Sequence, residues 1–376
     1  MAMHPEVESG CKELSKNNRK HLLLSGLHAS ARSMLLAAIQ RKIGQSVLVV
    51  MDNADEAQYM YSDLNTINLP DETGAKVLFF PVSKRRRQGV DEALAIQRTE
   101  TLSQLTINIQ SGKESTQCTM VVTYPEAIME CVPAPKALEY NTLYLKAGEE
   151  IQQSRLTEKL GELGFERVDF VYEPGQYAVR GGIVDVYSYS HDDPFRLDFF
   201  GDEIDSIRKF DIETQLSKDK VQQIDIVGVT SGKEQGKDYT IADYIGEDTI
   251  WASNDFSLLF YKLGGQTGSA ELKENDLADM LKQRLAETTT IEMGEKSYFG
   301  TYSHIAFDTL PQPVFNKNFD LLTDDLRGKI AEGYKLYILA DQKKQTDRLA
   351  AIFEDIAGEP IRFVAVDKTL HAGFVD

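Results

Sequence analysis

Little in this chain of 376 residues points to a disulfide-stabilised, metal-binding or membrane-spanning protein. Only three cysteines occur, and they form no even set and lack the spacing of metal ligands, which suits a reducing cytoplasm. The six histidines are scattered, so no metal-binding pair is expected on one turn of a helix. The sequence also lacks an apolar run of about 18 residues and a signal-peptide core, so we expect neither a membrane span nor a secretory leader.

Positive charge is scarce as well, because the formal net charge is −18. Contacts with phosphates supply most of the affinity of non-specific nucleic-acid binding, and an acidic chain repels phosphates. The chain on its own is therefore not expected to bind DNA tightly. One basic run, Lys84–Arg87, interrupts this pattern. It is compatible with a solvated loop or with a local contact to phosphate or to an acidic partner.

Apolar segments alternate with amphipathic segments in the first third of the chain. The predicted strands are His21–Ser25, Ser46–Met51, Val77–Phe80 and Cys118–Thr123. The predicted helices are Ser30–Arg41, Ala54–Leu64 and Asp91–Leu105. Because these strands are apolar throughout and separated by helices, they predict a parallel sheet that is covered on both faces.

The pattern changes at Pro133–Pro135, and this proline pair predicts a domain boundary. The residues that follow, up to about Val227, read as hairpins and one helix, which indicates a smaller α+β unit. Strand and helix patterns return over Thr249–Met293. A segment that looks like a linker, Leu310–Pro313, then precedes a small α/β unit over residues 314–376.

The segment Phe195–Phe200 alternates with period two, so consecutive side chains must project to opposite faces of a strand. Its three odd-numbered residues are apolar and form the predicted core face. Arg196, Asp198 and Phe200 share the other face, and Gly201–Asp202 supplies a turn to the returning strand. An aromatic ring beside an arginine is a combination enriched at binding hot spots. The alternative is a sheet covered on both faces, with Phe200 simply buried.

The first predicted strand, turn and helix form the context in which a phosphate-binding loop occurs. Such a loop needs glycines for close backbone approach, a lysine for the phosphates and a hydroxyl for the metal. Gly26 and Ser33 stand at the outer positions, but Ala31 replaces the second glycine and Arg32 replaces the lysine. Arginine is planar and bulky, and it does not replace lysine at such a site. The alternative role for the loop is to cap the helix through Ser30.

Three sequence blocks carry a resemblance to a known family. Glu173–Gly181 reads Glu-Pro-Gly-Gln-Tyr-Ala-Val-Arg-Gly, Arg196–Ser206 reads Arg-Leu-Asp-Phe-Phe-Gly-Asp-Glu-Ile-Asp-Ser, and Phe210–Gln215 reads Phe-Asp-Ile-Glu-Thr-Gln. These blocks resemble the second domain of bacterial transcription-repair coupling factors, a module shared with the excision-repair protein UvrB. A weaker likeness extends from Leu22 to Asp376.

The resemblance implies an α/β fold with three domains. The first is a degenerate RecA/helicase-like parallel-sheet domain, discontinuous over residues 1–135 and 228–310. An inserted α+β UvrA-interaction domain would occupy residues 136–227, and a small C-terminal α/β domain residues 314–376. The discontinuity rests on the resemblance, because periodicity does not tell which sheet a strand joins.

The resemblance also bears on catalysis. Similarity to UvrB places the acidic pair of a nucleotide site at Asn254 and Asp255, where the first carboxylate is missing. In the family, this module is a nucleotide-binding fold that no longer binds nucleotide, and the ATP-driven DNA motor lies further along the protein. No catalytic residue, cofactor or metal is therefore expected here. The connection between Val77 and Asp91 is also too short for the DNA-clamping hairpin of UvrB.

The function that the resemblance implies is recruitment of UvrA to stalled RNA polymerase during nucleotide excision repair in the cytoplasm. The family's UvrA-contacting positions fall on Arg180, Arg196 and Phe200, and Asp198 shares their face. RNA polymerase and double-stranded DNA would be contacted through other regions of the longer protein. Two alternatives remain open. One is an ATP-dependent UvrB-like damage-recognition or helicase subunit with a variant nucleotide site. The other is a structural spacer that has no partner at this face.

Overall fold

The structure is a computed structural model that describes residues 5–15, 21–67, 75–83, 85–86, 89–90, 92–111, 118–134, 142–189, 191, 193–228, 239–265 and 274–376. The helices are α1 (Pro5–Ser15), α2 (Ala31–Ile43), α3 (Ala54–Ile67), α4 (Glu92–Ser111), α5 (Pro125–Ile128), α6 (Gln153–Glu162), α7 (Phe256–Gly265), α8 (Glu274–Glu287), α9 (Phe319–Ala331) and α10 (Lys343–Ala357). No helix of the described ranges is both long enough and apolar enough to cross a membrane.

The strands fall into one large parallel sheet, one mixed sheet and four short pairs. They are β1 (His21–Ser25), β2 (Val47–Val50), β3 (Lys76–Phe79), β4 (Arg85–Arg86), β5 (Gly89–Val90), β6 (Thr119–Thr123), β7 (Thr142–Lys146), β8 (Glu166–Arg167), β9 (Gln176–Arg180), β10 (Ile183–Val186), β11 (Phe195–Phe200), β12 (Glu203–Phe210), β13 (Ser217–Val221), β14 (Gln223–Val227), β15 (Ile250–Ser253), β16 (Thr290–Glu292), β17 (Ser303–Ala306), β18 (Leu310–Pro311), β19 (Tyr337–Leu339), β20 (Val364–Val366) and β21 (Phe374–Val375). The helices and strands predicted for the first third of the chain are all present, with ends that differ by a few residues.

Seven strands form the large sheet in the order β17-β1-β16-β15-β2-β6-β3, and every neighbouring pair is parallel. All residues of β2, β6 and β15 are buried, because helices supply apolar side chains to the same core. This burial explains why the strands read as continuous apolar runs. Strands β15–β17 follow the second unit in sequence, so two separate segments of chain build this sheet.

The mixed sheet has the order β13-β12-β11-β10-β9-β8. Its pairs are antiparallel except for β8 with β9. One face packs on α6 and on the antiparallel pair β7/β14 through Leu156, Leu160, Leu145 and Ile226. The fold is therefore a parallel-sheet α/β core with a separate mixed sheet, which is the coarse form of the predicted architecture.

Several elements were not predicted from the sequence. Helix α1 places Val7 and Cys11 in the core of the large sheet. Helix α7 and the edge strand β17 were also missed. The prediction of a linker at Leu310–Pro313 is wrong for its first half, because Leu310–Pro311 forms β18 and pairs with β21. A pairing partner more than sixty residues away leaves no local signal in the sequence.

The small C-terminal unit consists of the parallel pair β19/β20 with α9 and α10, as its sequence predicted. The basic run is described only in part. Arg85–Arg86 forms β4, which pairs with β5, while Lys84 and Arg87 lie outside the described residues. The two interpretations of that run therefore remain open.

Gly26 ends β1 in a conformation that favours glycine. Its φ is +71°, and a Cβ atom there would lie 1.9 Å from the main-chain oxygen of Phe307. Gly44 has nearly the same φ, +68°, but nothing lies within 4 Å of the corresponding Cβ position. Alanine at Gly44 would therefore meet only backbone strain, whereas alanine at Gly26 would meet backbone strain and steric overlap.

We expect Gly26→Ala to lower the free energy of unfolding by about 3 kcal/mol, and Gly44→Ala by about 1 kcal/mol. The difference is the cost of moving the backbone of Phe307 away from the new methyl group. Urea unfolding followed by fluorescence measures it, because the single tryptophan of the chain, Trp251, is fully buried in β15. Equal losses for the two variants would contradict the overlap.

Candidate functional site

The outward face of β9–β12 carries the residues singled out from the sequence, and we call it the docking face. Strand β11 alternates as predicted: Phe195 and Leu197 are buried in the core of the second unit, while Arg196 and Asp198 point the other way. A register shift in the β11/β12 ladder opposite Asp198 and Phe199 leaves this alternation intact. Arg196 therefore shares the docking face with Phe200.

A buried carboxylate holds two arginines of the docking face. Asp185 lies directly opposite Arg196 in the β10/β11 ladder and is fully buried. The Nε and Nη2 atoms of Arg196 donate to its two oxygens at 2.7 and 2.9 Å, and Nη2 of Arg180 donates to the same carboxylate. These bonds to Asp185 raise the pKa of Arg196. Two guanidinium groups thus share one carboxylate, which leaves one positive charge in surplus.

The two arginines differ in how far solvent reaches them. The Arg196 side chain is 13% exposed, and its Nη1 atom donates to the main-chain oxygen of Gln215 at 3.1 Å. The Arg180 side chain is 34% exposed. Both arginines that the resemblance assigns to contact with UvrA are thus already bonded to Asp185 within the unit. Most donors of Arg196 are already used inside the unit, so Arg180 presents the larger share of the surplus charge.

Aromatic rings flank the arginine pair. The guanidinium of Arg180 lies over the ring of Phe170 with 4.8 Å to the centroid, and that of Arg196 lies over Phe210 at 4.6 Å. Phe210 belongs to a small apolar cluster with Val171 that covers one end of this face. The stacking fixes the planes of both guanidinium groups and protects them from water on one side.

Phe200 projects from the uncovered end of the docking face. It is the last residue of β11, beside the turn at Gly201, and its side chain is 83% exposed. The alternative of a sheet covered on both faces holds only for the end near Phe210. An exposed ring on a face that also carries ordered arginines has the composition of a binding hot spot.

Asp198 lies between Arg196 and Phe200 on the same face. Its Oδ2 atom accepts hydrogen bonds from Ser206, at 2.9 Å, and from Nη2 of Arg208. Asp198 is therefore paired within the sheet. Its bonds order the side chains of β11 and β12 around the exposed ring.

The loop before α2 is folded onto itself. Nε of Arg32 donates to the main-chain oxygen of Leu27 at 3.2 Å, so this side chain turns back towards its own loop. The hydroxyl of Ser33 donates to the buried Asp63 at 2.9 Å. Ala29 adopts a φ of +52°, and Ala31 is fully buried. The groups that would hold phosphate and metal in a nucleotide site are engaged with the protein itself.

Ser30 precedes α2 as its N-cap residue, but its side chain makes no capping hydrogen bond. Its hydroxyl instead accepts a hydrogen bond from the main-chain nitrogen of Ala372 at 3.1 Å. The alternative reading, in which Ser30 caps the helix through its side chain, is therefore wrong. A residue near the other end of the chain uses that hydroxyl.

The residues predicted as a remnant of an acidic pair lie at the carboxyl end of β15. Nδ2 of Asn254 donates to Glu56 at 3.2 Å and to Asp52 at 3.4 Å. A carboxylate here would face two others, so the amide relieves the repulsion. Asp255 accepts from the main-chain nitrogens of Ser257 and Leu258 at 2.7 and 3.1 Å and thereby caps α7.

Glu292, at the carboxyl end of the neighbouring β16, is also committed to structure. It is buried, and burial raises the pKa of its carboxyl group. Its oxygens accept from the main-chain nitrogens of Phe256 and Tyr298 at 3.0 to 3.1 Å. Within the described residues, no group of three or more histidine, cysteine or acidic side chains is placed to hold a metal ion.

Sequence reasoning missed Asp185 and Phe170. A signal for Asp185 was available, because it interrupts the apolar strand Ile183–Val186 and a buried carboxylate needs a cationic partner. Which arginine would supply the charge depends on the register of β10 against β11. Phe170 gave no such signal, because it lies in a loop.

Comparison with known proteins agrees with the geometry. Residues 143–231 match the family model described as UvrB interaction domain. These residues contain β8–β14, all of β7 except its first residue, and the whole docking face.

Three curated relatives are named transcription-repair-coupling factor. The Bacillus subtilis protein is 30% identical over 210 residues, 55% of this chain and 17% of the relative. The Escherichia coli protein is 32% identical over 213 residues, 54% of this chain and 17% of the relative. The Haemophilus influenzae protein is 39% identical over 100 residues, 27% of this chain and 9% of the relative.

The matches cover no more than 17% of the length of these relatives. The resemblance stated from the sequence is thereby confirmed. The chain is similar to part of the transcription-repair coupling factors, proteins of DNA repair, and it carries a UvrB interaction domain.

Proposed function

We propose that this chain is a non-catalytic recruitment module that binds UvrA through the docking face and so delivers the excision machinery to stalled RNA polymerase. The single observation that carries the proposal is the exposure of Phe200 on the same sheet face as the arginine pair, within the residues that match the UvrB interaction domain. The similarity to coupling factors supports a role in nucleotide excision repair. Contacts with RNA polymerase and DNA would come from other parts of the longer protein, and the cytoplasmic location stays a prediction.

The docking face combines an apolar anchor with a rigid charge. Phe200 would fill an apolar pocket on UvrA. Burial of its exposed ring would supply a large part of the binding free energy. The surplus positive charge of Arg180 and Arg196 calls for a carboxylate from the partner. Asp185 and the stacked rings already fix both guanidinium planes, so little side-chain entropy would be lost on binding.

The alternative role, that of an ATP-dependent UvrB-like damage-recognition subunit, would require a working nucleotide site. Arg32 bonded to Leu27, Ser33 bonded to Asp63 and Asn254 between two carboxylates argue against one. We therefore propose that no nucleotide is bound or hydrolysed by this chain. A structural spacer without a partner at this face would not require an exposed ring on the same face as paired arginines.

Phe200→Ala should weaken the affinity for UvrA by about 30-fold, equivalent to about 2 kcal/mol for a central anchor. Isothermal titration calorimetry of purified UvrA with the 376-residue chain measures the change. Tyr261→Ala is the matched control, because this aromatic ring is 76% exposed but lies on α7 of the first unit. Equal affinities for the wild type and Phe200→Ala, or equal losses for both variants, would contradict the placement of the interface.

Asp185→Asn should weaken UvrA binding by about fivefold although its side chain is fully buried, because both arginines lose the charge that orients them. Removal of this buried partner should also lower the free energy of unfolding by about 2 kcal/mol. Binding is therefore measured at a temperature at which circular dichroism shows both proteins folded. A gain in affinity would show that Asp185 competes with UvrA for the arginines, which is the opposite of the proposal.

The wild-type chain should give no saturable fluorescence increase with a ribose-labelled ATP analogue up to roughly 1 mM in the presence of Mg²⁺. The double variant Ala31→Gly/Arg32→Lys tests whether the two loop substitutions alone prevent binding. We expect this double variant to show no saturable binding either, because Asn254 and the bond from Ser33 to Asp63 are unchanged. Saturable binding to the wild type that unlabelled ATP displaces would refute a non-catalytic module.

A further inference from the structure

The C-terminal segment, His371–Val375, lies across the loop that precedes α2. The main-chain nitrogen of Ser30 donates to the oxygen of Ala372 at 3.3 Å, and the nitrogen of Ala372 donates to the hydroxyl of Ser30 at 3.1 Å. These two bonds run in opposite directions between residues that are 342 positions apart. The segment therefore meets the loop through main-chain groups, in the manner of a bound peptide.

Helix α3 supplies the other side of this contact. The nitrogen of His371 donates to Oδ1 of Asp63 at 2.7 Å, while Oδ2 of the same carboxylate accepts from Ser33 at 2.9 Å. The rings of His371 and Tyr59 stack with centroids 3.4 Å apart and planes 12° from parallel. Asp63 is only 3% exposed, so its carboxylate links α2 and the segment out of reach of solvent.

The segment continues into a strand that is anchored separately. The nitrogen of Gln312 donates to the oxygen of Gly373 at 3.2 Å, and β21 pairs with β18. Phe374 packs against the core of the large sheet. Contacts with α3, with the α2 loop, with β18 and with the core thus hold five consecutive residues.

We propose that the phosphate-loop-like segment before α2 serves as a docking site for the chain's own residues 371–375, and that this contact fastens the small C-terminal unit to the large sheet. The N-terminus of a helix carries partial positive charge and unpaired N–H donors. In a nucleotide site these donors meet a phosphate, whereas here the Ser30 nitrogen meets the oxygen of Ala372. The inference stands on contacts separate from the docking face and does not depend on UvrA binding.

The proposal has a mechanical consequence. The small unit begins after β18 and ends at β21, and these two strands pair with each other. Both ends of residues 312–373 are therefore held at one place on the first unit. Moving the small unit away as a body requires release of the segment from the loop, from Asp63 and from Tyr59.

Hydrogen–deuterium exchange of the complete chain, followed by mass spectrometry, tests the docking. Tyr59→Ala should accelerate exchange about fivefold in peptides that cover residues 369–375 and 28–34, because the stacked ring that holds His371 is lost. Asp63→Ala should accelerate the exchange of these peptides at least tenfold, because the carboxylate that accepts from both the His371 nitrogen and the Ser33 hydroxyl is lost. The side chain of Gln58 is exposed on the same helix, and Gln58→Ala serves as the control that should change neither peptide.

Peptides of the docking face should exchange at the wild-type rate in all three variants. The outcome of this test is therefore independent of whether the docking face binds UvrA. Asp63 is buried and its loss could unfold α3, so Tyr59→Ala, with a ring that is 45% exposed, decides the outcome. The proposal is overturned if the segment of the wild type exchanges as fast as an unstructured peptide. It is also overturned if Tyr59→Ala leaves the exchange of residues 369–375 unchanged.

Discussion

The carboxylate of Asp185, buried between two guanidinium groups, is the interaction on which the second unit's outer face depends. An unpaired charge buried in a sheet costs much free energy, and the two arginines supply the pairing that this carboxylate needs. The carboxylate and the stacked rings together fix the guanidinium planes. The pairing locks β9, β10 and β11 together on the side that faces away from the core. It also creates a surface that is rigid before any partner arrives.

Charge acts on two length scales in this protein. The net charge of −18 is expected to repel the phosphate backbone of nucleic acids at long range. At shorter range the arginine pair places a positive spot on the same sheet face as an exposed ring. An acidic and partly apolar protein surface can approach this spot, whereas a long run of phosphates meets repulsion from the rest of the molecule.

Much of the fold could be predicted from local sequence patterns, because burial on both sides of a parallel strand and alternation in a hairpin leave direct traces. The alternation of β11 placed Phe200 on the face opposite the core, and the family resemblance identified the same residue. Its exposure was left open between a binding surface and a covered sheet, and only the structure decides it. Features set by distant partners could not be predicted. The register of β10 against β11, which joins Asp185 to Arg196, depends on the turn geometry between them.

The same limit applies to the ends of the chain. Leu310–Pro311 looks like a linker until β21 pairs with it, and the exposed alternation of β17 carries a weak signal because an edge strand is packed on one side only. The roles of Asn254 and Ser33 required coordinates too. Their sequence positions predict a degenerate nucleotide site, but only the coordinates show that Asn254 binds Glu56 and that Ser33 binds Asp63.

Where the chain leaves the large sheet for the second unit, it comes back to nearly the same point. Val132 forms a β-bridge with Tyr239, and its main-chain nitrogen donates to the main-chain oxygen of Tyr239 at 2.8 Å. The two junctions are thus neighbours, so the chain enters and leaves the second unit through one narrow opening in the first unit. A short glycine-rich bridge could close the gap without disturbing the remaining strands, and the excised piece could be grafted into any host with an equally narrow opening. Two adjacent junctions are the geometry at which insertion of a domain into a host fold is tolerated.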